Sequence, residues 1–213
     1  MFSMFIGFLM VFLDFNIELG SGVIGLLPDF VGFIFIVKGL DELKGESPKF
    51  TVIRPYAVAM AAYCGLVYIL DLIGLSRDMG FAATAIGILA TLLSLYITYT
   101  IILGIEDIEG ARGAELGGDQ LMALWKPMAV IHVLSFIVPF VFPFLGAVCI
   151  IAAVVLTIAF LVYFRRTQKA YDALPPAGQD GAADPPAPQD GGAPHPDGDG
   201  GTQSAQQQQT TGL

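Results

Sequence analysis

The chain has 213 residues, of which 55% are hydrophobic and only 14% charged, and its mean hydropathy is +0.71. Soluble domains carry roughly 25% charged residues, so the composition excludes a soluble globular fold and points to a membrane-embedded one. The net charge of −9 is uneven: residues 1–169 hold all ten Lys and Arg against thirteen Asp and Glu, and residues 170–213 add six Asp and no base, so nothing supplies the basic cluster that nucleic acid binding needs.

The first apolar segment, Met1–Leu13, is about 20 Å long as a helix and short for a ~30 Å hydrocarbon core. Extended through Asp14 and Phe15 it covers about residues 1–15. It has neither a positive n-region nor a small-residue cleavage site, so it does not read as a cleaved signal peptide. Asn16–Gly22 is polar and reads as a turn. Pro28 then suits the first turn of a helix, where its missing N–H costs nothing, and Asp29 favours the positive end of that helix. Segment 28–43 is also short. The first two segments therefore form a helical hairpin, either spanning or re-entrant.

Residues 38–54 read as a polar loop. Segment 55–75 is long enough to span and is interrupted only by Asp71. Ser76–Gly80 is a tight turn, and segment 81–104 is uncharged and the clearest span. Residues 105–120 read as an acidic, Gly-rich loop. Segment 121–138 carries Trp125 and Lys126 near its start, where Trp prefers the headgroup level and Lys can snorkel. Pro139–Pro143 is a turn, and segment 144–164 is stopped by Arg165 and Arg166.

The expected fold is thus all-α, a polytopic transmembrane bundle of about six hydrophobic segments over residues 1–169. Residues 170–213 are Pro/Gly/Ala/Asp/Gln-rich and too poor in apolar bulk to offset the entropy of ordering. This acidic tail is expected to be disordered, a solvated segment rather than a docking strand. Nine of the ten Lys and Arg fall on one side of the bundle, with only Arg77 on the other. The positive-inside rule makes the richer side cytoplasmic, with both termini inside.

Cys64 and Cys149 both sit in apolar runs and read as small buried hydrophobes. Among polar residues, His132 is the foremost candidate, about 10 Å inside the outer interface. It reads either as a proton-titrating or cation-coordinating group or as a neutral His bridging two helices, the commoner role. Asp71 lies at similar depth and shares a helix face with Cys64 and Tyr68, so an Asp71–His132 pair is one reading and an outward-snorkelling carboxylate the other. Asp14, Glu18, Asp29, Asp71 and Asp78 all fall on the outer side. That is either a cation-attracting mouth or simply what remains where Lys and Arg are scarce.

Thr84, Thr91 and Thr98 repeat every seventh residue, and Ala83, Gly87 and Thr91 form a small-residue row that suits close helix packing. Glu106, Asp107 and Glu109 read as a solvated face. No zincin, Walker A or Rossmann pattern occurs, and no nucleophile stands beside a base. No cofactor, metal or catalytic residue is expected.

Leu26-Leu27-Pro28-Asp29-Phe30-Val31-Gly32, running on to Lys38-Gly39-Leu40-Asp41-Glu42-Leu43, resembles a signature of small multi-pass membrane proteins of bacteria. The resemblance covers about residues 10–50. It implies a bacterial inner-membrane location and brings no activity or ligand. Independently of it, Gly32 permits close packing and Gly39 loosens the end of its helix. The functional expectation is a non-enzymatic membrane component acting through the bilayer and a protein partner at its cytoplasmic loops or tail. The alternative is a small ion- or proton-coupled transporter or channel using His132 and Asp71, with Asp29 and Tyr68 as further members of an intramembrane or outer-interface polar site.

Overall fold

The computed structural model describes residues 1–12, 16–19, 22–25, 28–73 and 80–175. It is a helical bundle of α1 (Phe2–Phe12), α2 (Asp29–Leu43), α3 (Pro48–Leu72), α4 (Gly80–Arg112), α5 (Gly118–Val141) and α6 (Pro143–Asp172). A short antiparallel ribbon joins α1 to α2: β1 (Asn16–Leu19) pairs with β2 (Gly22–Gly25), with Asn16 opposite Gly25 and Leu19 opposite Gly22. The expected turn at Asn16–Gly22 is therefore a longer hairpin. Met1–Leu174 forms one compact unit, and the tail beyond Pro175 lies outside the described residues.

Among the described residues, four helices are long and apolar enough to cross a membrane: Pro48–Leu70, Thr84–Arg112, Gly118–Val138 and Phe144–Asp172. With 11 and 15 residues, α1 and α2 reach about 16 and 22 Å and are too short to cross a ~30 Å core. Each helix packs on the next in sequence, and α6 closes back onto α1. All Lys/Arg-rich ends then gather at one end of the ring, called here the basic end.

Local chemistry sets the helix limits beyond what hydropathy shows. Helix α3 starts at Pro48 rather than Pro55 because the Ser47 hydroxyl accepts the Lys49 N–H (3.2 Å), an N-cap followed by proline at the first helical position. The span expected to end at Gly104 continues as α4 to Arg112, and α6 runs past Arg165 and Arg166 to Asp172. Between α5 and α6 the break is Phe142 alone.

The first hairpin is packed unusually closely. A Cβ on Gly39 would lie 2.6 Å from Met4 Cβ and 2.7 Å from its backbone N. One on Gly32 would lie 2.7 Å from Val11 Cγ2, and one on Gly7 would lie 2.7 Å from the Gly32 carbonyl oxygen. So Gly39 does not loosen α2; like Gly32, it lets α1 approach the backbone. The leucines that follow in the signature, Leu40 and Leu43, are buried. Ser3 donates a 2.6 Å hydrogen bond to Glu42. The seam between α1 and α6 is aromatic: Phe8 meets Phe164 edge-on at 4.9 Å and Phe160 at 5.9 Å.

The buried core occupies the half of the bundle nearest the basic end, around Phe50, Ile53, Ile101, Ile105, Phe160 and Phe164. Beyond Met60 in α3, before Leu95 in α4, beyond Met128 in α5 and before Phe160 in α6, no described apolar side chain is buried. A Cβ on Gly87 would meet nothing within 4 Å, so the small-residue row of α4 does not seat a neighbouring helix there. In water such apolar exposure would be prohibitive; around the four long helices it is the surface a lipid bilayer covers.

Candidate functional site

Two polar assemblies stand out among the described residues. The first is a platform at the basic end, built from loop 44–47 and the ends of α3, α4, α5 and α6. Arg112 forks onto Glu46, with Nε 3.1 Å from one oxygen and Nη2 on the other. The Tyr171 hydroxyl donates to the same carboxylate at 3.0 Å, and the Tyr171 ring lies 5.5 Å from the guanidinium. Beside it, Lys49 reaches Asp107 at 2.6 Å, and Ser47 donates to the other Asp107 oxygen at 2.5 Å. On the rim, Arg54 and Asp41 form a bidentate pair. The hydrogen bond from Arg54 holds the Asp41 carboxyl below the usual carboxylate range.

Glu109 has a different task. Its Oε1 accepts the backbone N–H groups of Leu116 and Gly117 at 2.6 Å and of Gly118 at 3.1 Å. Those are orphan donors at the positive end of α5. The concave backbone is possible because Gly113 and Gly117 adopt φ of +59° and +87°, a region that side chains disfavour. The acidic run expected to be a solvated face is therefore structural at Asp107 and Glu109. Its signal in the sequence is a carboxylate a few residues before a Gly-rich stretch that opens a helix. Replacing Glu109 with alanine is expected to cost about 1–2 kcal/mol, the range for a lost helix cap. Equilibrium unfolding in nanodiscs measures it, and unchanged stability would refute the capping role.

The second assembly is a groove of about 240 Å³ between α5, α6 and the end of α1, lined by His132 and Ser135, Ala153 and Thr157, and Val11 and Phe12. Its α1 side is formed by Val11 and Phe12, the last described residues of that helix. The Nδ1 of His132 lies 2.8 Å from the Met128 carbonyl oxygen, and Ser135 donates to the His132 carbonyl at 2.7 Å.

The sequence-level candidates separate. His132 faces this groove. Asp29 starts α2 and Tyr68 lies on α3, where the Tyr68 ring packs at a tilt against Phe30, the residue after Asp29, with centroids 5.7 Å apart. Asp71 lies on α3, with its side chain outside the described residues. Helix α3 packs on α2 and α4, whereas α5 packs on α4 and α6, so equal depth does not make Asp71 and His132 neighbours. Asp14 and Asp78, and the side chain of Glu18, also lie outside the described residues. Cys64 and Cys149 are free and half-buried. Trp125, expected only as an interface anchor, also ties α5 to α4: its indole N–H donates to the Leu95 carbonyl at 3.3 Å and its ring meets Tyr99 at 4.9 Å.

Among the described residues, a ring of helices with four that are long and apolar enough to cross a membrane fits an α-helical membrane protein. Comparison with protein-family profiles, curated proteins and solved structures found no match for the chain.

Proposed function

We propose that the protein is a non-enzymatic membrane component that presents a rigid cytoplasmic platform to a protein partner. One observation carries this reading. Glu46, Ser47, Lys49, Asp107, Glu109, Arg112 and Tyr171 are used up in contacts with one another or with backbone. They lock the ends of four helices together and leave a separate exposed set, including Lys44, Glu115, Lys126 and Lys169, on the same end. Internally saturated charges rigidify a surface; the remaining charges face outward and give specificity to an encounter. The excess of Lys and Arg at this end supports a cytoplasmic orientation, and the resemblance of segment 26–43 supports a bacterial inner membrane.

Coupled transport through His132 and Asp71 is the weaker reading, because the two helices that carry them are not adjacent in the ring. Photocrosslinking in cells tests the first. A crosslinker at Glu115 or Lys126 is expected to trap a discrete cytosolic protein, while one at Val155, which is 59% exposed on the apolar surface, traps lipid only. The same adducts from all three positions, or none from Glu115 and Lys126, would refute the reading.

A further inference from the structure

The groove at His132 has a hydrogen-bonding polarity that specifies what it accepts. A carbonyl oxygen can only accept, so the 2.8 Å contact with Met128 puts the proton of His132 on Nδ1. In a neutral ring Nε2 then carries the lone pair. The Ser135 hydroxyl already donates to the His132 carbonyl, so its oxygen is left as an acceptor. Thr157 is 6% exposed and, among the described residues, makes no side-chain hydrogen bond. The other buried threonines all do: Thr98 and Thr100 donate to carbonyls one turn back, and Thr167 donates to Leu116. The Thr157 hydroxyl thus lies on the groove wall with its donor uncommitted, open to an occupant.

The remaining lining restricts the occupant further. Among the described residues no Asp, Glu, Lys or Arg lines the groove, so its described wall favours a neutral occupant over an ion. Ile150, Val154 and Ile158 on its rim are about half exposed, at 57%, 53% and 49%, so entry is sideways from the apolar surface. The groove has a volume of about 240 Å³, many times what one water needs. That holds one substituted ring or a short stretch of chain.

We infer that this groove binds a neutral, membrane-dissolved molecule through a hydroxyl group, which donates to His132 Nε2 and accepts from Thr157. Two sources share that chemistry, an aromatic hydroxyl such as a phenol or quinol and a long-chain alcohol. Binding needs no covalent step and is separate from the platform.

The test uses the full chain in nanodiscs with four probes: tetramethylhydroquinone and its dimethyl ether, and farnesol and farnesyl methyl ether. A ligand of the folded state raises the unfolding midpoint by mass action. At least one alcohol is expected to raise it while the matching ether does not, and the effective alcohol identifies the source. The same alcohol should shift the 15N resonance of His132 Nε2, with His195 of the tail as an internal reference. Thr157→Val, which exchanges the hydroxyl for a methyl of similar size, and Ala153→Leu, which fills the groove, should each abolish the midpoint shift. His132→Leu should do so as well, but the first two variants carry the test if that one fails to fold. Equal shifts from alcohol and ether would mean simple apolar filling and overturn the assignment. So would the absence of any shift, or a shift that survives Ala153→Leu.

Discussion

Arg112→Ala is expected to destabilise the folded chain by about 3 kcal/mol. That lies at the low end of the range for removing one partner of a buried ion pair, because Arg112 and Glu46 keep 15% and 19% of their side-chain surface exposed. The loss does not equal the worth of the pair. It arises mostly because Glu46 would keep its charge in a desolvated corner with only the Tyr171 hydroxyl to stabilise it, while the Tyr171 ring would lose the cation over its face. A second substitution separates these causes. Adding Glu46→Leu to Arg112→Ala should recover a large part of the loss, since it removes the stranded carboxylate. Equilibrium unfolding of the two single variants and the double variant in nanodiscs provides the cycle. A single-variant loss below about 1 kcal/mol would place the pair among exposed surface bridges and would remove the physical basis for a rigid platform.

That platform also marks the limit of what the sequence carries. Hydropathy reads where the chain is apolar enough for lipid, so the four long spans and the shortness of the first two segments are legible. It does not read where a helix stops once it leaves the apolar zone. The turns from Ile105 to Arg112 and from Arg165 to Asp172 are held by Lys49, Glu46 and Leu116, which lie 51 to 125 positions away from their partners in the chain. Nothing local announces those pairs. Distance along a helix is legible too: His132 falls within α5, six residues before the apolar stretch ends at Val138. Position around the ring is not, because it depends on which helices are neighbours, and α3 and α5, which carry Asp71 and His132, each pack chiefly on α4 and on a different second helix. Closure of α6 on α1 rests on phenylalanines at positions 8, 12, 160 and 164, each unremarkable in its own apolar run. Glycines are the intermediate case: the residue type signals close approach, but only the neighbour decides which glycine makes one.

The strongest consequence of that last point is a pair of identical substitutions with opposite signs. Gly39→Ala is expected to lower stability by about 2 kcal/mol or more. Its methyl would lie 2.7 Å from the Met4 backbone nitrogen and 2.9 Å from Met4 Cα, and no side-chain rotation relieves a backbone contact, so α1 must move. Gly87→Ala, in an apolar helix with nothing within 4 Å of the new methyl, should instead gain about 0.5–1 kcal/mol from reduced backbone freedom in the unfolded chain. The two variants share the same chemistry and the same gain in helix propensity, so the difference of about 3 kcal/mol isolates the close approach of α1 to α2. Equal effects in the same unfolding assay would mean that α1 does not rest on Gly39. The displacement has a second readout, because Val11 and Phe12 at the far end of α1 form one wall of the His132 groove. A shift of α1 that relieves Gly39 must move that wall. Gly39→Ala should therefore weaken the response to the hydroxyl probe as well as lower stability, whereas Gly87→Ala should leave the response unchanged.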